Sequence, residues 1–128
     1  MKYLTKQVLI RIHNSAIEEF GGDFGLRDDG LLEAALAAPL ASFGGADLFP
    51  TVIEKAARLA LGIIKNHPFI DGNKRTGILA LYFLVLENGY YFKDTVTNDE
   101  TYNLGIGLAE GTIDIDNLLI WLENNIYR

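Results

Sequence analysis

The residues best suited to chemistry lie together between positions 67 and 76, where the chain reads HPFIDGNKRT. His67 offers an imidazole, which is partly unprotonated at cellular pH and can therefore accept a proton from an attacking hydroxyl group. Asp71 offers hard oxygen ligands of the kind that Mg²⁺ prefers. Asn73 can donate and accept hydrogen bonds, so it can either fix the turn or orient a phosphate oxygen.

The same turn leads into an apolar helix that is predicted to begin near Asn73. The free N–H groups in the first turn of a helix can bind an anion, and Gly72 and Asn73 lie at that position. Lys74 and Arg75 add positive charge there, where each would cost about 0.3–1 kcal/mol against the helix dipole if nothing compensated it. Two cations at the start of the most apolar helix therefore predict a phosphate-binding site.

The hydrophobic spacing and the turn residues predict six helices, almost no strand, and a single domain spanning residues 1–128. The stretch from Gly77 to Leu86 is apolar all round, which places the fourth helix at the centre of the bundle. Residues 40–49 are predicted to form a loop, and Tyr90 to Lys93 to be extended. The predicted fold class is therefore all-α, a compact six-helix bundle around a buried central helix.

Capping residues and helix-breaking residues set the predicted limits of these helices. Proline ends a helix or stands in its first turn, and glycine or asparagine follows its last turn. The first helix is predicted to follow its cap Thr5 and to stop at Gly21 and Gly22, and the second to run from Leu31 to Ala38, capped by Asp28 or Asp29 and ended by Pro39. The third is predicted from Pro50 to about Lys65, and the fourth from Asn73 to Glu87, ended by Asn88 and Gly89. The fifth is predicted to begin at Thr97, in a capping box with Glu100, and to end near Gly111, and the sixth to be capped by Asp114 and to include Ile126 on its apolar face.

The composition excludes several classes of protein. With 128 residues, 49% hydrophobic and 22% charged, the chain has the composition of an ordinary soluble domain. Its net charge of −6 argues against a general nucleic-acid binder, and the absence of cysteine excludes disulfides and thiolate metal sites. The first residues lack the apolar core of a signal peptide, and the run from Ile78 to Leu86 is about half of what spans a bilayer. A cytoplasmic protein without membrane or nucleic-acid partners is expected.

Residues 67–76 closely resemble the signature of the Fic/Doc superfamily, whose Fic form reads His-Pro-Phe-x-acidic-Gly-Asn-Gly-Arg. Lys74 stands where the Fic form has a second glycine, and this departure is the hallmark of the Doc (death-on-curing) branch. The stretch from Phe20 to Leu36 and the NGY turn after the fourth helix resemble Doc-like proteins as well, so the resemblance covers essentially the whole chain. The residues that agree with the signature are His67, Pro68, Phe69, Asp71, Gly72, Asn73 and Arg75.

This resemblance implies a toxin of a toxin–antitoxin system that acts as a protein kinase. It implies transfer of the γ-phosphate of ATP to a threonine or serine hydroxyl of a translation factor, elongation factor Tu or a similar target, and inhibition of translation. It further implies a Phd-like antitoxin as a partner, and ATP with Mg²⁺ as cofactors. Carried over onto this chain, His67 is the base, Asp71 the Mg²⁺ ligand, and Gly72, Asn73, Lys74 and Arg75 hold the phosphates, with Lys74 and Arg75 also contributing to catalysis.

Two other functions are consistent with the same motif: AMP transfer to a protein hydroxyl, as in Fic enzymes, and a nucleotide-binding regulatory module without turnover. A P-loop is excluded because GxxxxGK[ST] is absent. The remaining polar residues receive simpler interpretations. His13 is predicted to lie on a helix surface, Arg27 at the edge of the pocket, Lys65 as a weaker candidate for the phosphate pocket, and Glu54, Lys55 and Arg58 on the solvated face of the third helix.

Overall fold

The computed structural model describes residues 1–128 and contains six α-helices and two small β-sheets. The predicted all-α class and the six-helix bundle are confirmed. None of the helices combines the length and the apolar character that crossing a bilayer requires. The helices α1 to α6 are Lys6–Phe20, Asp29–Ala37, Val52–Asn66, Asn73–Glu87, Asn98–Glu110 and Ile115–Asn125; the strands β1 to β4 are Ser42–Phe43, Ala46–Asp47, Tyr91–Phe92 and Ile126–Tyr127; a 3-10 turn spans Ala38–Leu40.

Every helix except α4 begins at a side-chain cap, whose oxygen accepts a hydrogen bond from the backbone N–H three residues later. Helix α4 instead begins at Gly72, which has φ 74° and ψ 19° and makes no capping bond. The first-turn N–H groups of α4 therefore have no side-chain acceptor. The capping residues of the other helices are Thr5, Asp28, Thr51, Thr97 and Asp114.

Helices α3 and α4 form the most extensive contact in the bundle and lie at its centre, as the sequence predicted for α4. Gly77 allows their close approach, since a Cβ atom there would lie 2.7 Å from the Ile64 side chain and 3.1 Å from the carbonyl oxygen of Ala60. Helices α1 and α5 pack against α4, while α2 and α6 pack against α3. This arrangement places the turn between α3 and α4 at one end of the central helix pair.

The segment before α3 differs from its prediction. Residues 40–49 were expected to form a loop, yet β1 and β2 form a short antiparallel hairpin there. Thr51 caps α3, which starts at Val52, so Pro50 lies outside the helix that it was predicted to open. Lys55, predicted to be solvated, is buried: its ammonium group lies 3.2 Å from the Asp47 carboxylate and donates to the carbonyl of Phe49. Because the hairpin segment supplies both partners, the ammonium group can be buried without leaving its charge unpaired.

The C-terminal end of the chain pairs with the segment after α4. The extended conformation predicted for Tyr90 to Lys93 is confirmed, because Tyr91–Phe92 forms β3 and pairs antiparallel with β4. Ile126 was expected on the last helix, but α6 ends at Asn125 and Ile126 is buried in β4 opposite Phe92. At Thr97 only half of the predicted capping box forms, in which the hydroxyl accepts from the N–H of Glu100.

Candidate functional site

The turn between α3 and α4 is closed internally by Asn73. Its amide oxygen accepts from the backbone N–H of Phe69 at 3.0 Å, and its amide nitrogen donates to the Phe69 carbonyl at 2.9 Å. The Asn73 side chain is buried, so both bonds form away from water, where leaving either group unbonded would be costly. Of the two roles that the sequence left open for this amide, the structure supports fixing the turn.

The Asp71 carboxylate joins this turn to the segment that follows α1. One oxygen accepts from the Gly72 N–H at 2.8 Å, and the other accepts from the Asp23 N–H at 3.2 Å. Gly22 leaves the space for this contact, because a Cβ atom there would lie 2.7 Å from the Asp71 carboxylate oxygen. Each oxygen retains a free lone pair. The chain contains no cluster of three or more His, Cys, Asp or Glu side chains suited to a metal ion.

A cavity of about 580 Å³ opens beside the first turn of α4. Its walls come from the C-terminal end of α1, the first three turns of α4 and the N-terminal half of α5. The predicted phosphate-binding residues converge here, since all of the residues from Asp71 to Arg75 line the cavity. The other lining residues are Ala16, Ile17, Glu19, Phe20, Gly21, Ile78, Leu79, Tyr82, Asn98, Thr101, Tyr102 and Gly105.

The two cations of this cavity have no carboxylate partners. The ion pairs of the chain involve Lys6 and Lys55, and neither Lys74 nor Arg75 takes part in one. The Arg75 guanidinium instead lies 3.6 Å from the centre of the Phe20 ring and 5.8 Å from that of Tyr102. Ring faces attract a cation without neutralising its charge. The start of α4 therefore places two unpaired cations in a cavity whose lining also includes the acidic residues Glu19 and Asp71.

Tyr82 lies deeper along the cavity wall. Burial raises the pKa of its phenol, an effect that the nearby Thr101 hydroxyl partly opposes and the charge of Glu100 adds to. A raised pKa means that the neutral phenol is favoured at every pH where the protein is ordinarily handled. Tyr82 therefore contributes an uncharged hydroxyl to the cavity.

His67 lies at the other end of the turn, where α3 ends, and it is not among the residues that line the cavity. It is exposed, and it is the only non-glycine residue with positive φ, at φ 50° and ψ 56°. Such a left-handed conformation costs a residue with a Cβ atom about 1–3 kcal/mol and commonly marks a functional position. The predicted base and the predicted phosphate-binding residues therefore lie at opposite ends of the turn, and only the phosphate-binding residues line the cavity.

Arg27 supports the His67 end of the turn. Its guanidinium donates to the carbonyl of His67 at 2.6 Å and to that of Asn66 at 2.7 Å, while its backbone N–H donates to the Pro68 carbonyl. The carbonyls of Asn66 and His67 lie at the end of α3, where a cation is favourable for the helix dipole. Arg27 was expected at the pocket edge, but it does not line the cavity. Lys65, also expected near the pocket, instead donates to the Ala109 carbonyl at 3.2 Å.

His13 is the functional-site residue that the sequence interpretation missed. It was predicted to lie on a helix surface, yet it is 1% exposed, with Nε2 at 2.7 Å from the carbonyl oxygen of Asp71. Its ring stacks on Phe69 with centroids 3.8 Å apart and an interplanar angle of 4°. The helical spacing could have revealed this position, because His13 lies four residues from both Leu9 and Ile17 on the buried face of α1.

Comparison with known proteins identifies the family of this chain. The sequence model of the Fic/DOC family matches residues 3–85, and the chain belongs to this family. The Doc branch predicted from Lys74 is confirmed by two relatives. Toxin Doc of Mycolicibacterium smegmatis is 36% identical over 117 residues, which cover 91% of this chain and 88% of the relative. Protein kinase doc of Escherichia phage P1 is 26% identical over 118 residues, which cover 92% of this chain and 90% of the relative.

Proposed function

We propose that this protein is a Doc-type toxin that transfers the γ-phosphate of ATP to a threonine or serine hydroxyl of a translation factor. The single observation that carries the proposal is the uncapped start of α4, which lines a cavity together with Lys74 and Arg75, two cations without carboxylate partners. The names of the two relatives, a toxin and a protein kinase, support the same activity.

The start of α4 favours binding of a polyphosphate. Free N–H groups at the start of a helix and the positive end of its dipole both attract an anion. Lys74 adds an exposed point charge, and Arg75 adds a planar guanidinium that can bind two phosphate oxygens at once. A cavity of about 580 Å³ lies within the range of sites that take ligands the size of a nucleotide.

The chemical step requires a base for the attacking hydroxyl. His67 accepts the proton, the hydroxyl oxygen forms a bond to the γ-phosphorus, and the bond from that phosphorus to the bridging oxygen of the β-phosphate breaks, which releases ADP. Lys74 and Arg75 stabilise the charge on the phosphate oxygens, since positioning and electrostatics dominate phosphoryl transfer. The exposed position of His67 suits a substrate hydroxyl that is carried by another protein.

Asp71 fits the role of the Mg²⁺ ligand in this scheme. Asp71 is one of the residues that line the cavity, and each of its carboxylate oxygens accepts only one hydrogen bond. Mg²⁺ at nucleotide sites is commonly held by one or two carboxylates and by the phosphates themselves, so the absence of a larger acidic cluster is compatible with this role. When bound, Mg²⁺ would supply charge neutralisation at the phosphates.

The proposed target and partner follow from the Doc branch. Elongation factor Tu, or a translation factor like it, is the proposed substrate, and its modification would inhibit translation in the cytoplasm. A Phd-like antitoxin is the proposed partner that restrains the toxin. No second small-molecule cofactor beyond ATP and Mg²⁺ is proposed.

Incubation of the purified protein with elongation factor Tu and ATP that is labelled at either the α- or the γ-phosphate tests this function. We expect label on the factor from the γ position alone, and none with the His67→Ala variant. Label from the α position would replace the kinase with AMP transfer. Nucleotide binding without label on any protein of a cell extract would indicate a regulatory module instead.

A further inference from the structure

The imidazole of His13 touches three residues of the turn that leads into α4. Its Nε2 atom lies 2.7 Å from the Asp71 carbonyl oxygen, and its ring stacks on that of Phe69. A Cβ atom on Gly72 would lie 3.7 Å from the same nitrogen, so the ring also lies against the backbone of Gly72. A single side chain of α1 thus contacts the turn 58 residues further along the chain.

The hydrogen bond identifies Nε2 as a donor. A carbonyl oxygen can only accept, so Nε2 must carry a proton. His13 shares the buried face of α1 with Leu9, Ala16 and Ile17, where an apolar side chain would fill the space without loss of hydration. The hydrogen bond to the Asp71 carbonyl therefore offsets the free-energy cost of burying the polar imidazole ring.

The position of that carbonyl controls the geometry of the anion site. Asp71 and Gly72 share one planar peptide group, so fixing the carbonyl oxygen also fixes the orientation of that plane. Gly72 follows with φ 74° and begins α4 without a side-chain cap. We propose that His13 is a positioning residue, which holds the Asp71–Gly72 peptide so that the first-turn N–H groups of α4 are pre-aligned for the phosphates of the nucleotide. This role rests on the proposed function.

Two substitutions separate the hydrogen bond from the packing. His13→Phe keeps an aromatic ring against Phe69 but removes the donor, whereas His13→Gln keeps a donor nitrogen at a similar distance from the backbone. We expect His13→Phe to weaken binding of the imido analogue of ATP about tenfold, as loss of one hydrogen bond to a preorganised site implies, and His13→Gln to recover most of it. Calorimetric titration measures the affinity. Should His13→Phe not fold, His13→Met serves as the variant that fills the space without a donor.

Amide hydrogen exchange without nucleotide provides a second measurement that does not depend on the proposed function. We expect faster exchange at residues 70–75 in His13→Phe than in the parent protein, and near-parental exchange in His13→Gln. Leu9→Val is the matched control, because Leu9 is buried one helical turn before His13 and does not touch the turn through any hydrogen bond. It should lower the melting temperature and leave both the affinity and the exchange at residues 70–75 unchanged.

The outcomes distinguish the role of His13 from the proposed function. If the parent protein does not bind the analogue, the proposed function fails, and the exchange data alone decide whether His13 orders the turn. Parental affinity or parental exchange in His13→Phe would overturn the positioning role. The same holds if Leu9→Val weakens binding as much as His13→Phe, since the effect would then reflect stability alone.

Discussion

The two ends of the turn between α3 and α4 are built in opposite ways. At the α4 end, the buried side chains of Asn73 and His13 hold the backbone through hydrogen bonds. At the α3 end, His67 is exposed, adopts a left-handed conformation and is held by the exposed side chain of Arg27. Buried side chains therefore hold the α4 end of the turn, and an exposed side chain holds the α3 end.

This difference matches the substrates that each end is proposed to bind. A small ligand with defined phosphate geometry benefits from a rigid, preorganised site. A base that acts on a protein hydroxyl must instead be reachable by a macromolecule, which requires exposure. The comparison therefore predicts that substitutions at the α4 end change nucleotide affinity, and that substitutions at the α3 end change the rate of transfer.

The largest effect is expected from His67→Ala. Loss of the general base should lower the rate of transfer by about 10²–10⁴-fold. The affinity for ATP should remain near that of the parent protein, because His67 does not line the cavity. Transfer kinetics and calorimetric titration measure the two quantities. A large loss of ATP affinity in this variant would contradict the separation of the two ends.

Arg75→Ala should have the next largest effect, on affinity rather than on folding. Removal of a charged donor that meets a phosphate should weaken ATP binding by about 10- to 100-fold. Arg58→Ala is a matched control, since Arg58 also lies over an aromatic ring, 4.6 Å from the centre of Phe49, but outside this cavity. Equal losses of affinity in the two variants would argue against a phosphate role for Arg75.

Arg27→Ala tests the surface support of the base. Without the guanidinium, His67 should leave its left-handed conformation part of the time, so the rate of transfer should fall about tenfold while ATP affinity is retained. The rate of transfer of Arg27→Lys should lie between those of the parent protein and Arg27→Ala, because lysine keeps the charge and loses the paired hydrogen bonds of the guanidinium. Lys65→Ala, which removes an exposed cation bonded to the Ala109 carbonyl, is the control and should transfer at the parental rate. Loss of ATP affinity in Arg27→Ala would show that the two ends are not independent.

The smallest effect is expected from Tyr82→Phe. Since burial raises the pKa of this phenol, the hydroxyl stays protonated above its ordinary range and should not titrate in the pH range where transfer is measured. The affinity for ATP should change by no more than about twofold, as for substitutions that remove no charge or core volume. A shift of the alkaline limb of the pH–rate profile in the variant would contradict this assignment.

Local signals predicted much of the fold. Capping residues such as Thr5, Asp28 and Asp114 lie within a few residues of the groups that they bind, so the sequence places them well. The pairing of β3 with β4 joins segments from opposite sides of two helices, and no local pattern encodes that contact. The β1–β2 hairpin escaped prediction because each of its strands is only two residues long.

At the candidate site too, local patterns in the sequence were predictive and contacts between distant residues were not. Residues 71–75 all line one cavity because they are consecutive and lead into an apolar helix, and their role in binding phosphate stays a prediction. His13 and Lys55 were misplaced because a polar side chain is buried only where distant groups satisfy it, here the Asp71 carbonyl and the Asp47 carboxylate. The role of Arg27 depends in the same way on the carbonyls at the end of α3.

The missing side chain of Gly77 has a consequence beyond packing. His67 follows the last turn of α3 and Lys74 lies in the first turn of α4, so the spacing of these two helices sets the distance between the proposed base and the proposed phosphate site. An added methyl group at position 77 would meet Ile64 and the Ala60 carbonyl and force the helices apart. The absence of a side chain at position 77 thus limits how far apart the proposed base and the proposed phosphate-binding residues can lie.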